Sequence, residues 1–177
     1  MRRSALALTA LLPVLAAAAD YPPPRTLHEL AEAPNAERIE SDVRRLAGFG
    51  TRHTLSQTDS DDRGIGAARR WVRAEFERIS EDCGGCLQVF EQRAVVEGEE
   101  RIPEATEIVN VLAVLPGEAD PDRYIVITGD IDSRASDVMD AEADAPGAHD
   151  NASGLAGVLE AARVLSRHRF RAGIVFA

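Results

Sequence analysis

The chain has 177 residues, a suitable length for one domain, and its apolar fraction of 45% is ordinary for a globular protein. Its 30 Asp and Glu outnumber its 20 Lys and Arg, which gives a formal net charge of −10. This charge argues against a nucleic-acid partner, because binding to phosphates needs clustered Lys and Arg. We interpret the acidic excess as a solvated surface.

The first residues have the pattern of a secretory signal. Arg2 and Arg3 precede a short apolar run from Ala5 to Ala19 that ends in small residues. The run is too short to span a bilayer stably, so no stable membrane insertion is expected after the signal is removed. We therefore predict export to the periplasm or the extracellular space. The predicted parts are a signal peptide at 1–19, an extended mature N-terminus at 20–36 and an α/β domain at 37–177.

Two amphipathic helices are predicted in the first half of the chain. The segment from Glu37 to Ala47 has apolar residues at helical spacing. A second and longer helix follows, for which the residues from Asp59 to Asp62 offer N-cap candidates. The predicted apolar face of this longer helix consists of Ile65, Ala68, Val72, Phe76 and Ile79.

The two cysteines, Cys83 and Cys86, are separated by two glycines. A zinc site would need a second pair of ligands, and the chain has no other cysteine. A thioredoxin-like motif needs a strand before it and a helix after it, whereas here a helix precedes and a strand follows. In an exported protein, a local disulfide that closes this turn is the favoured interpretation.

The second half of the chain alternates between predicted strands and one helix. Leu87–Val96 and Ile108–Leu115 are predicted to form an antiparallel hairpin. Tyr124–Thr128 is an apolar run typical of a buried strand. A helix predicted from Ser153 leads to another apolar run, Gly173–Ala177, so the last three elements form a βαβ unit with parallel strands. Because the sequence stops inside this last strand, we expect the chain to be the N-terminal part of a larger protein.

Two acidic motifs lie where the chain changes direction. Gly129-Asp130-Ile131-Asp132-Ser133 follows a predicted strand, and Pro146-Gly147-Ala148-His149-Asp150-Asn151-Ala152-Ser153-Gly154 opens the predicted helix. A strand end and a helix start of this kind meet at the crevice where open α/β sheets bind ligands. Carboxylate oxygens at such a place suit hard or borderline cations. The pair of motifs therefore indicates a metal-dependent enzyme.

With these two motifs, the chain resembles the M28 family of zinc aminopeptidases. That family has Gly-His-x-Asp-Ser after a strand and Pro-Gly-Ala-Asp/Asn-Asp-Asn/Asp-x-Ser-Gly at the start of a helix. The likeness continues upstream, in the segments Phe49–His53, Gly64–Arg69 and Asn110–Gly117. The resemblance implies a three-layer α/β/α sandwich with a mixed β-sheet, two Zn²⁺ ions and peptide substrates.

The resemblance also implies roles for three aspartates. Asp150 matches the aspartate that bridges the two zinc ions, and Asp132 matches the one that orients a neighbouring metal ligand. Asp130 departs from the family pattern, which has a zinc-binding histidine at this position. Aspartate also binds zinc, so Asp130 is a candidate ligand, although it adds negative charge. The departure further motivates the hypothesis that His149 replaces the lost imidazole.

The implied reaction is metal-assisted hydrolysis of N-terminal peptide bonds. In the family, zinc-bound water attacks the scissile carbonyl while a glutamate acts as general base. This glutamate belongs to a Glu-Glu pair that follows the last strand and is not present in this sequence, so the chain alone is expected to be inactive. One alternative is a non-catalytic relative that binds peptides or proteins. Another is a calcium-binding module based on the acidic segment Asp137, Asp140, Glu142 and Asp144.

Overall fold

The computed structural model describes residues 24–177, so the predicted signal peptide at 1–19 lies outside the described residues. The helices are α1 (Pro24–Glu32), α2 (Ala36–Ala47), α3 (Gly64–Asp82) and α4 (Ser153–Leu165), with a π-helical turn (Ala148–Ala152) directly before α4. The strands are β1 (Gln88–Val96), β2 (Thr106–Leu115), β3 (Asp120–Ile127) and β4 (Ala172–Phe176). None of the helices in this part of the chain is both long and apolar enough to cross a membrane.

The four strands form one mixed sheet in the order β1-β2-β4-β3. The predicted hairpin is confirmed, because β1 pairs with β2 in the antiparallel direction. The predicted βαβ unit is confirmed as well, because β3 and β4 are parallel and α4 connects them. The topology brings the carboxyl end of β3 beside the carboxyl end of β4, and Asp130 and Asp132 follow directly after β3.

The core lies between the sheet and three helices that pack together, α2, α3 and α4. The predicted apolar face of α3 is confirmed, since its five residues are almost completely buried. Alternate residues of β2 enter the same core, as expected for a strand with one covered face. The α/β class with a mixed sheet is thus confirmed, and among residues 24–177 the helical packing is on one face of the sheet.

Strand β3 differs from the prediction of a buried strand. Tyr124, Ile125 and Val126 are 53%, 59% and 60% exposed. The reason is its position, because β3 is at the edge of the sheet that residues 24–177 form, where it pairs with β4 alone. An apolar run reports β-propensity and the tendency to be buried, but not which strand takes the edge.

The N-terminal segment also differs from the prediction of an extended stretch at 20–36, since residues 24–32 form α1. Residues 27–32 include Leu, Glu and Ala, which are good helix formers. His28 and Glu32 lie one turn apart on this helix, with 3.2 Å between Nε2 and Oε1. Intrinsic propensity and this pairing therefore favour a short helix over the extended chain.

The start of α3 is capped by a residue other than the predicted Asp59 to Asp62. The Ser56 hydroxyl accepts a hydrogen bond from Ile65 N–H in the first turn, at 2.9 Å. The helix begins after Arg63, whose side chain forms no cap. A serine oxygen satisfies a free N–H of the first turn as well as a carboxylate does, and here the loop before the helix delivers it from nine residues upstream.

Cys83 and Cys86 are joined by a disulfide directly after α3. Replacing both cysteines by serine is expected to lower the free energy of unfolding by only about 2 kcal/mol, because the closed loop is very short. Urea unfolding of the full-length protein measures this difference, and a reducing agent should abolish it. Alkylation of both cysteines without prior reduction, seen by intact mass, would contradict the disulfide.

Candidate metal centre

The segment after β3 passes close to the start of α4. Gly129 N–H donates to Ala177 O at 2.9 Å, and Ala177 N–H donates to Ile127 O at 3.0 Å, so the strand end is held against the end of β4. A Cβ on Gly129 would lie 2.7 Å from the backbone of Leu155 in α4. Glycine is therefore required here, and it lets the Asp130 to Asp132 segment leave the sheet beside the helix start.

The turn before α4 brings Asp150 to the same end of the sheet. Gly147 has φ 46° and ψ 43°, which is the left-handed region that glycine adopts without strain. Its carbonyl accepts a hydrogen bond from Ala152 N–H at 3.0 Å, and Asn151 Oδ1 accepts one from Gly154 N–H at 3.0 Å. These bonds fix the backbone on both sides of Asp150 and leave its side chain exposed.

Arg52 ties together the segments that carry the aspartates. It is 1% exposed, and its guanidinium donates hydrogen bonds to four backbone carbonyls. The acceptors are Ile131 O at 2.9 Å, Leu46 O at 2.9 Å, Pro146 O at 2.7 Å and Gly147 O at 3.1 Å. One side chain thus connects the end of α2, the segment after β3 and the turn before α4.

Burial lowers the pKa of Arg52 to about 10, and the negative charge of Asp132 opposes this shift. Arg52 therefore stays a cation at neutral pH, although it is almost completely buried. The positive charge of Arg52 and the negative charge of Asp132 attract each other at this end of the sheet.

Ser133 and His53 hold the acidic loop that separates the two motifs. The Ser133 hydroxyl donates to Ala145 O at 2.6 Å and accepts from Arg52 N–H at 3.0 Å. His53 accepts from Leu55 N–H at Nδ1, so its other nitrogen carries the proton and donates to Val138 O at 3.0 Å. The buried His53 ring therefore has a structural role in this loop.

Asp132 and Asp130 share a cavity, and Asp150 is not among the residues that line it. The cavity has a volume of about 510 Å³ and lies at the carboxyl ends of β3 and β4. Thr54, which also lines it, donates a hydrogen bond from its hydroxyl to Asp132 Oδ2 at 3.1 Å. This contact fixes one carboxylate oxygen and leaves the other for a further partner, which suits a residue that orients a metal ligand.

The described residues fit part of a zinc site. Asp130 and Asp150 are exposed carboxylates of the kind that zinc accepts. His149 is also exposed, but only its backbone oxygen is engaged, by the Ser153 hydroxyl at 3.0 Å. Within residues 24–177, no three His, Cys, Asp or Glu side chains are grouped so that they could hold a metal ion. The roles of Asp130, Asp150 and His149 as zinc ligands therefore stay predictions.

The acidic loop uses its carboxylates for its own backbone. Asp140 Oδ1 accepts hydrogen bonds from Ala143 N–H at 2.8 Å and Glu142 N–H at 3.0 Å, and these bonds lower its pKa. Asp144 pairs with Arg63 at 2.8 Å. These contacts favour a solvated loop over the alternative of a calcium site.

The roles of two buried arginines, Arg52 and Arg69, were not predicted from the sequence. The partners of Arg52 are backbone carbonyls, which leave no trace in the side-chain pattern. Arg69 did leave a signal, because it stands four residues after Ile65 and three before Val72, within the apolar face of α3. A charged residue at such a position is buried, and the structure shows Arg69 to be 9% exposed.

Comparisons with known proteins agree with the geometry of the two motifs. Residues 110–177 match Peptidase family M28. The chain is 44% identical over 155 residues to a probable zinc metalloprotease of Leptosphaeria maculans, a match that covers 88% of this chain and 36% of that protein. The chain thus spans about a third of the length of the curated relatives that it matches.

Solved structures share the fold at low identity. The LapA aminopeptidase of Legionella pneumophila aligns with a TM-score of 0.63 and 18% identity, over 96% of this chain and 40% of that one. The glutaminyl cyclase of Porphyromonas gingivalis aligns with a TM-score of 0.61 and 20% identity, over 81% of this chain and 46% of that one. The family match covers both acidic motifs, and the relatives and the fold agree with it, so residues 110–177 are assigned to peptidase family M28.

Proposed function

We propose that this chain is part of an exported zinc aminopeptidase, which hydrolyses N-terminal peptide bonds with a centre of two zinc ions. The observation that carries the proposal is that Asp130 and Asp132 line one cavity after β3 and Asp150 stands in the turn before α4, in segments that match family M28. Export is proposed from the signal-like residues 1–19, and N-terminal sequencing of the protein from its native source tests it.

Each aspartate has a separate part in this proposal. Asp150 and Asp130 would hold the zinc, and Asp132 would orient the neighbouring ligand. Among residues 24–177, no further zinc ligand and no general base is proposed. Bound zinc would polarise the scissile carbonyl and lower the pKa of a bound water. Arg52 and Thr54 keep the aspartates in place throughout, through the contacts described above.

Glutaminyl cyclase activity is an alternative, because glutaminyl cyclases are among the proteins that share this fold. Likeness at 20% identity does not choose between these activities. The curated relatives at 44% identity are named probable zinc metalloproteases, and this favours peptide hydrolysis. An assay that offers both an aminoacyl p-nitroanilide and an N-terminal glutaminyl peptide separates the two.

Replacing Asp150 with asparagine tests the proposed centre. In the full-length protein, Asp150→Asn is expected to reduce kcat/KM for leucine p-nitroanilide at least a hundredfold, or about 2.7 kcal/mol, because an amide bridges two cations poorly. Metal analysis should fall from two zinc ions per chain toward one or none. Asp122→Asn makes the same chemical change at an exposed position of β3 and serves as the matched control.

The control is expected to keep its zinc content and its activity within twofold of the wild type. Full activity of Asp150→Asn would remove Asp150 from the site. A wild-type protein that folds and binds zinc but hydrolyses neither substrate would instead favour the non-catalytic alternative, in which the same residues bind a peptide without cleaving it.

A further inference from the structure

Arg69 is a buried cation that lacks the partners a structural arginine has. Its Nε is buried and has no hydrogen-bond partner in the part of the chain that the structure describes. Burial lowers the pKa of Arg69, and Glu107 raises it. A buried donor without a partner destabilises a fold by about 1–3 kcal/mol, and more when the group is charged. A favourable interaction must therefore offset the destabilisation that the unpaired Nε of Arg69 causes.

Two other buried arginines show what a structural role looks like. Arg52 is more deeply buried, and it donates to four carbonyls. Arg163 also has an unpaired Nε, but its terminal nitrogens pair with Asp42 and Glu75 at 2.5 and 2.7 Å. Among residues 24–177, no such hydrogen bond or ion pair involves Arg69.

The acids near Arg69 are already engaged. Glu107 and Glu91 act on its charge, but both pair with Arg93, at 2.5 Å in the case of Glu107. Among residues 24–177, neither glutamate forms an ion pair or a hydrogen bond with the Arg69 guanidinium itself.

Arg69 stands in the wall between two cavities. One is the cavity of about 510 Å³ that Asp130 and Asp132 also line. The other has a volume of about 610 Å³ and is lined by Arg93 and by Arg70, among others. We propose that Arg69 binds a carboxylate of the peptide substrate, with the scissile bond at the aspartates of the first cavity. This deepens the proposed function, on which it rests.

A carboxylate fits this site better than a phosphate does. The planar guanidinium matches the two oxygens of a carboxylate, and one positive charge balances one negative charge. A phosphate would need further free cations, but Arg70 is bound to the carbonyls of Thr58 and Ser60, and Arg93 is bound to glutamates. The carboxylate belongs either to the C-terminus of a short peptide or to an acidic side chain.

Two matched pairs of substrates distinguish these sources in the full-length protein. The first pair is Leu-Ala and Leu-Ala amide, and the second is Leu-Glu amide and Leu-Gln amide. The wild type is expected to prefer the charged member of one pair at least tenfold in kcat/KM. Arg69→Gln should reduce this ratio to about one, and Arg70→Gln, which changes the neighbouring arginine of the 610 Å³ cavity, should keep it.

Binding is measured separately from hydrolysis. The N-acetylated forms of the four peptides are titrated calorimetrically, since a blocked amine prevents aminopeptidase cleavage. Wild-type protein should bind the charged member of one pair at least tenfold more tightly, and Arg69→Gln should lose the difference. The melting temperature of Arg69→Gln should equal or exceed that of the wild type, because an unpaired buried charge has been removed, whereas a structural role predicts a decrease.

The outcomes separate the two proposals. Equal affinities within both pairs for the wild type overturn the role of Arg69, even if the protein hydrolyses peptides. A charge preference that Arg69→Gln retains overturns it as well. If the wild type binds the charged peptides through Arg69 but hydrolyses none, the carboxylate site stands and the aminopeptidase proposal fails. Arg69→Lys keeps the charge without the planar fork, and it replaces the glutamine variant if that variant does not fold.

Discussion

Replacing Arg52 with methionine is expected to lower the free energy of unfolding of the full-length protein by about 4 kcal/mol, roughly a thousandfold in the folding equilibrium. Methionine fills a similar length but donates no hydrogen bond. The carbonyls that Arg52 serves in three separate segments would then lose their common donor inside the protein. Urea unfolding of the purified variant, compared with the wild type, measures the change.

The exposed neighbour Arg134 provides the control for charge. Arg134→Met removes one positive charge near the same aspartates, and it is expected to change the free energy of unfolding by less than about 0.5 kcal/mol. Arg52→Lys keeps the charge but has one nitrogen in place of three, so it should recover only part of the loss. Equal stabilities for Arg52→Met and the wild type would show that the carbonyls find other donors.

Arg52 also links stability to the site, because its acceptors lie beside both acidic motifs. Without it, the segment from Asp130 to Asp132 and the turn before Asp150 lose their shared anchor. Zinc affinity should therefore decrease along with stability, by about 10–100-fold, as is usual when the support of a metal ligand is removed. Arg134→Met should leave zinc affinity unchanged.

The elements that carry the site were visible in the sequence. The strand before Asp130 and the helix after Asp150 follow from apolar periodicity, and their parallel packing follows from the order strand, helix, strand. The convergence of the two motifs at one end of the sheet is a consequence of that topology alone. No long-range information was needed for this part.

Three of the failures depend on contacts between residues that are separated in the sequence. The exposure of Tyr124 to Val126 depends on which strand lies at the edge, and strand order is not written in periodicity. The cap of α3 comes from Ser56 because the preceding loop folds back, although acids with equivalent cap chemistry lie nearer the helix in the sequence. The anchoring by Arg52 depends on carbonyls up to 95 residues away.

A buried ionic cluster joins the three packed helices, with Arg163 of α4 at its centre. Its guanidinium pairs with Asp42 of α2 at 2.5 Å, with Glu75 of α3 at 2.7 Å and with Glu160 of α4 at 3.5 Å. Glu160 is 2% exposed and also accepts a hydrogen bond from Asn35 N–H at 2.7 Å. The cluster lies on the side of α4 that meets α2 and α3, away from the aspartates.

Burial acts to raise the pKa of both glutamates in this cluster, but hydrogen bonds from arginines outweigh it and lower the pKa of Glu75 and of Glu160. A carboxylate whose pKa is lowered by folding stabilises the folded state above its unfolded pKa, and it loses this contribution as the pH falls through the folded pKa. Burial raises the pKa of Asp42 in spite of Arg163, so this residue gives no such stabilisation.

Replacing Arg163 with methionine is therefore expected to lower the free energy of unfolding at pH 7 by about 3 kcal/mol, because three carboxylates lose their central cation inside the protein. The loss should be complete above about pH 5 and should shrink as the pH falls below the ordinary glutamate pKa of 4.5, where the acids become neutral and need no cation. Urea unfolding at pH 7, 5 and 4 measures this dependence.

Arg169→Met is the control, because it breaks an exposed ion pair between Arg169 and Glu118 that is 2.7 Å long. The free energy of unfolding of this variant should fall by less than about 1 kcal/mol at every pH. A loss for Arg163→Met that is equally small would show that the acids of the cluster are solvated or protonated already at neutral pH.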